Sequence, residues 1–232
     1  MPNFTPTENQ IQGVHNFEEL ISTQYQGEVN AICWKRELIG DFSELVNKLE
    51  TDENLVEVSP KDLLHLELSA EGQLARAVIL NDLKLLKAQG TSPVLNLIKC
   101  YDRDESYPLF PTDVYSFHVD RSPIPTDTFL CTYYGAASDI LPNAQAVQKI
   151  LISEIRNELQ KLHDGAPEDF ENFLSDYFFD LHYAAKPDAN IINLGNGHLW
   201  KLAVDHPESQ VAPCLHRAPI EKEGQPRLML IC

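Results

Sequence analysis

Two short words in this sequence carry side chains of the types that bind metal. FHVDR (117–121) sets His118 and Asp120 two residues apart, and APCLHRAP (212–219) brings His216 late in the chain. In an extended strand, residues two apart face the same side, so a strand over 114–120 would present an imidazole and a carboxylate together. Two histidines and one carboxylate form the facial triad that leaves open positions on iron(II). Those positions suit a chelating co-substrate and dioxygen. The far carboxylate of a chelator calls for a planar, permanently charged, bidentate partner. Arg227, at the start of RLMLIC (227–232), supplies that better than a lysine would. An H-x-D pair is also an ordinary surface pair on a strand, and Arg227 also reads as half of a surface salt bridge.

These side chains need rigid elements to hold them. VNAICW (29–34), SPVLNLIKCY (92–101), VYSFHVD (114–120) and TFLCTYYG (128–135) read as strands, as do NIINLG (190–195), HLWKLAV (198–204), APCLHRAP and RLMLIC. Many short strands separated by Pro, Gly or Asp favour a sandwich, jelly roll or barrel. Upstream, residues 1–15 read as a polar arm and 16–26 as a short helix. Asp41 is placed to cap a helix ending near Glu50, and Ser59-Pro60 opens a helical region that closes at Gly90, with Gly72 breaking it in two. Residues 142–186 break the β-pattern. Val147, Ile150, Leu151, Ile155, Leu159 and Leu162 recur on one helical face, and a second helix follows Pro167. The segment reads as a helical insertion between strands within a single domain over 1–232. The expected class is therefore α+β: a β-core with N-terminal support helices and a helical insertion.

The chain of 232 residues carries 35 acids against 18 bases, a net charge of −17. That balance lacks the basic footprint of a nucleic-acid binder. It suits solubility, and it would attract a cationic small molecule such as an amine or amino acid. No apolar run is long enough to span a bilayer, and the polar start MPNFTPTENQ lacks the features of a secretory signal. Cys33, Cys100, Cys131, Cys214 and Cys232 are odd in number and scattered, as expected of reduced thiols in a cytoplasmic protein. There is no G-x-S-x-G, P-loop or dinucleotide fingerprint. His15, His65, His163, His182, His198 and His206 have no ligand spacing and are expected to lie outside any metal site. Nothing in the sequence sets an oligomeric state.

The order H-x-D, a long gap, His, then Arg in the next strand resembles the iron(II)/2-oxoglutarate-dependent oxygenases. The words ICWKR (32–36), FHVDR, TFLCTYYGAASDILP (128–142), HRAP (216–219) and RLMLIC also resemble a poorly characterised bacterial domain family of unknown function. Together the likenesses span roughly 29–140 and 190–232. The oxygenase resemblance implies a double-stranded β-helix, a cupin-like jelly roll, with His118, Asp120 and His216 as ligands of Fe(II). It implies that Arg227 pairs with 2-oxoglutarate, and that a polar residue on an early strand (Asn96, Tyr101, Thr132 or Tyr133) helps hold it. Asp120 stands where a halogenase of that superfamily has Ala or Gly, so the resemblance points to a hydroxylase. The implied reaction couples dioxygen and decarboxylation of 2-oxoglutarate to hydroxylation of an unactivated C–H bond in a small molecule, an amino acid or biosynthetic intermediate among them. Two other classes share the triad: a cupin-like oxidase or dioxygenase without 2-oxoglutarate, which has no need of Arg227, and a non-catalytic metal-binding protein.

Overall fold

A computed structural model describes residues 9–49, 51–107, 110–220, 222 and 224–232. The N-terminal half builds a helical layer. Helices α1 (Phe17–Ser22), α2 (Phe42–Lys48), α3 (Pro60–His65) and α4 (Ala70–Ala88) are started by side-chain caps. Asp41 accepts the Glu44 N–H at 3.0 Å, and Ser59 and Asp62 form a reciprocal capping box with Pro60 in the first turn. Gly90 takes the left-handed φ of +81° that ends α4. The break between α3 and α4 falls at Leu66–Ser69, not at Gly72. Gly72 sits inside the first turn of α4, where a Cβ would lie 2.2 Å from the Glu44 carboxylate that holds Ser69. The glycine there makes room for a helix contact.

Behind these helices lies a seven-stranded sheet and, facing it, a six-stranded one. The large sheet runs β1 (Ile11–Val14), β2 (Ala31–Trp34), β11 (Leu199–Ala203), β6 (Asp127–Tyr134), β13 (Arg227–Ile231), β4 (Val94–Ile98), β3 (Leu55–Glu57). The small sheet runs β10 (Ile192–Asn193), β7 (Asp139–Ile140), β12 (His216–Arg217), β5 (Phe117–His118), β9 (His182–Ala185), β8 (Ala146–Gln148). Apart from the parallel pair β1–β2 the ladders are antiparallel. Take the strands β4, β5, β6, β7, β10, β11, β12 and β13 in chain order. The outermost two pair, then the next two inward, down to the innermost pair β7–β10, whose connection carries β8, α5 (Ser153–Leu162), α6 (Phe170–Asp176) and β9. Two curled, largely antiparallel sheets in this order are compatible with a β-sandwich or jelly roll.

Alternation along the strands divides the core. Leu95, Leu97, Phe129, Cys131, Tyr133, Leu228 and Leu230 pack outward against α2–α4. Ile98, Leu130, Met229, Trp200 and Leu202 point inward to meet Ile140, Leu194 and Cys214 of the small sheet. Polar Asn96, Thr128, Thr132 and Arg227 share that inward face by the same alternation.

The expected helical insertion is mixed. Helices α5 (Ser153–Leu162) and α6 (Phe170–Asp176) are present, but Val147 belongs to strand β8 and pairs with Ala184 of β9. Leu151, expected on the buried helical face, is 67 % exposed. Strand pairing with a partner some forty residues on overrides the local helical spacing. Strands β3 and β7 were not expected, and Ile11–Val14 of the polar arm is strand β1; residues 1–8 of the arm lie outside the described residues. The five cysteines are free, and among the described residues no helix is long and apolar enough to cross a membrane.

Candidate metal centre

His118 and His216 are directly opposed residues of neighbouring strands, β5 and β12, with ring centroids 4.6 Å apart. The strand holding His118 stops there, so Asp120 lies just past the ladder; its carbonyl accepts the Asp205 N–H at 2.8 Å. The carboxylate still turns back to the two rings. Its oxygens stand 3.9 Å from His118 Nε2 and 3.7 Å from His216 Nε2. One ligand atom from each of the three side chains lies within 4.8 Å of the others, a group that could hold a metal ion.

The surroundings fix how these ligands present themselves. His118 Nδ1 lies 2.8 Å from the Ser116 carbonyl, and His216 Nδ1 lies 3.2 Å from the Cys214 carbonyl. A carbonyl only accepts, so each Nδ1 carries the proton and each Nε2 offers its lone pair to the shared space. Thr128, on the inward face of the large sheet, donates its hydroxyl to Asp120 Oδ2. Burial, and then the adjacent His216, push the His118 pKa down to about 4, so the ring is neutral at neutral pH. Burial alone would raise the Asp120 carboxyl; His216, the Thr128 hydroxyl and His118 outweigh it and hold the group below its ordinary value. A neutral His118 ring beside an ionised Asp120 carboxylate matches the protonation states that metal binding requires. Mixed nitrogen and oxygen donors on one side of the space fit a borderline divalent ion such as iron(II).

The remaining expected site residues are placed differently from one another. Arg227 is 1 % exposed and donates from a terminal nitrogen to Ser138 Oγ at 3.1 Å, beside Met229 Sδ at 3.3 Å. Gly135, at φ +85°, permits this, since a Cβ there would stand 3.0 Å from Arg227 Cα and 2.5 Å from the Pro226 carbonyl. Ser138 precedes Ile140, the register partner of His216, by a two-residue step of about 7 Å. Asn96 and Thr132 flank Met229 on neighbouring strands, inward-facing like Arg227, and Thr132 Oγ1 is buried without a partner. Tyr133 faces the helices, where it donates to Asp82 at 2.7 Å. Tyr101 lies past the end of β4, edge-on to Tyr115 at 6.0 Å, in the wall of a separate cavity of about 500 Å³. Arg217 projects to the opposite side of β12 from His216, pairing with Asp139 and stacking 4.3 Å over Phe117.

Beside the triad opens a cavity of about 200 Å³ lined by His118, Asp120, Arg121, Phe178, Leu181 and His182. Arg121 ties this wall together, donating to Asp205 at 2.9 Å and to Asp180 at 2.7 Å. Sequence reasoning set His182 apart from the site because no local spacing links it to the other histidines. LHYAA (181–185) carries no sustained strand alternation, and the helical reading of 142–186 absorbed it. Comparison with protein-family models, curated proteins and solved structures finds no match to this chain.

Proposed function

We propose that the chain is an iron(II)- and 2-oxoglutarate-dependent oxygenase that hydroxylates a small molecule. The observation that carries this reading is the triad itself: two Nε2 atoms and one carboxylate converge from two paired strands, with both Nδ1 atoms held by backbone carbonyls. The nested strand pairing supports a double-stranded β-helix as the framework, because it sets the second and seventh core strands side by side. Arg227 adds a permanent cation on the inward face, the sign a dicarboxylate chelator needs, with Thr132 and Asn96 next to it as neutral hydrogen-bonding groups. Iron(II) held by His118, Asp120 and His216 would supply activation of dioxygen coupled to oxidation of 2-oxoglutarate and substrate. The chain's own part is to orient Asp120 through Thr128, to bind the far carboxylate through Arg227, and to exclude water with the inward apolar cluster around Met229, Leu130 and Ile140.

One observation favours a second reading. Arg227 is already engaged by Ser138 and Met229, so it also serves as a strut between the sheets. A cupin-like oxidase or dioxygenase without 2-oxoglutarate would keep the triad and use Arg227 that way. Anaerobic titration with iron(II), then 2-oxoglutarate, separates the two. The oxygenase reading expects a visible charge-transfer band in wild type that is absent in His216→Ala and needs far more 2-oxoglutarate in Arg227→Met. Iron binding with no band at any 2-oxoglutarate concentration would leave the cupin-like reading, and no iron binding would remove both.

A further inference from the structure

Three histidines stand in one row across the small sheet. His118 is opposed by His216 on one side and by His182 of β9 on the other, so the three occupy one level of adjacent strands and one face. The His118 and His182 rings are 5.8 Å apart, with Phe110 set edge-on to His182 at 6.1 Å. His182 differs from its neighbours in how it is held. Those two are anchored through Nδ1 to a carbonyl, whereas His182 Nδ1 is buried with no hydrogen-bond partner. Its nitrogens also lie outside the group of mutually close ligand atoms, so it is not placed as a fourth ligand.

A polar ring only 3 % exposed and left unmatched is unfavourable where an apolar side chain would pack equally well. The ring lines the same cavity of about 200 Å³ that reaches His118 and Asp120, and because Nδ1 is closed off, Nε2 is the nitrogen that can meet a ligand there. The rest of the wall is mixed, with Thr112, Asp113 and Arg121 as its polar members beside an apolar side. Phe178, held in the left-handed region at φ +61° and 58 % exposed, and Leu181 both face this space. We propose that His182 hydrogen-bonds a polar group of a small molecule seated in this cavity on the exchangeable side of the metal centre, whose apolar part rests on Phe178 and Leu181. The inference rests on the metal-centre reading and names the substrate class for it: a compact molecule with a hydrogen-bonding group beside a short apolar body. It assigns substrate selection to the insertion that carries Phe178, Leu181 and His182.

The test uses the full chain loaded with cobalt(II), and azide as the probe for the exchangeable side. His182→Phe and His182→Leu both remove the polar ring, and far-UV circular dichroism identifies which of them retains the fold. Cobalt(II) affinity is expected to stay within about twofold of wild type, while azide binding, followed by the cobalt visible spectrum, weakens by roughly five- to tenfold, the share of one hydrogen bond. His182→Gln, which keeps a hydrogen-bonding side chain, is expected to recover part of that loss. Equal azide affinity in wild type and the apolar variants would overturn the proposal. So would an azide-insensitive wild-type spectrum, or a tenfold loss of cobalt(II) in every His182 variant, which would make His182 a ligand. Failure of the metal-centre reading shows earlier and separately, as wild type that takes up no cobalt(II).

Discussion

At the scale of single residues, the centre is defined less by its three ligands than by what points them. A histidine ring on a strand can rotate, and a carboxylate past the end of a ladder can swing to solvent. Here Ser116 and Cys214 carbonyls hold the rings and Thr128 holds the carboxylate. Thr128 reaches across from the large sheet, so it couples the two sheets at the ligand set. Thr128→Val keeps the branched shape on a strand that favours it but removes the donor. The expected result is a metal affinity about 10- to 100-fold lower with little change in melting temperature, measured by iron(II) or cobalt(II) titration beside thermal denaturation. Unchanged affinity would show that Asp120 is oriented without Thr128.

At the scale of elements, α4 is joined to the large sheet by charge as well as by apolar packing. Asp82 is fully buried in the middle of α4, with Arg36 holding both its oxygens and Tyr133 of β6 donating at 2.7 Å. Removing one partner of a buried pair strands the other. Asp82→Ala should therefore cost about 3–5 kcal/mol in denaturant unfolding, and Arg36→Met with Asp82→Leu should recover most of it. Recovery absent in the double variant would place the loss on the Tyr133 hydroxyl instead. Nothing local in the sequence signals this pair, because Arg36 and Asp82 meet only after α4 docks. The same distinction runs through the rest of the molecule. Asp41, Ser59, Pro60 and Gly90 act on their own neighbours, and the helix ends they set were legible. So were the strands around His118, His216 and Arg227, whose alternation is local. The break placed at Gly72 was misread because the glycine answers to Glu44 of another helix. Strands β8 and β9 were hidden because short segments such as AVQ and HYAA become strands only by pairing with each other and with β5.

At the scale of the whole molecule, the insertion packs differently from the body that holds the triad. Its cluster, built on Ile150, Leu159, Phe170, Leu174 and Phe179 together with Phe110 from the segment before β5, is separate from the two clusters on either side of the large sheet. Helix α5 buries only Leu159. The insertion is fastened to the small sheet by the β8–β9–β5 ladders, by Leu181 and Tyr183 against Phe117 and Val119, and by Arg121 on Asp180. Segments with few buried contacts open at lower free energy than the core. In hydrogen exchange, amides of α5 and α6 should therefore exchange well before those of β6, β11 and β13. A divalent ion should slow exchange at β5 and β12 and raise global stability by about 2.7 kcal/mol at a free concentration one hundred times its Kd. With a net charge of −17, weak cation binding across the surface would also stabilise the fold by relieving repulsion. His216→Ala distinguishes the two effects, since it keeps the acidic surface and removes a ligand. Protection at β5 and β12 that persists in that variant would assign the stabilisation to surface charge, whereas its loss, with a remaining small and uniform rise, would assign it to the triad.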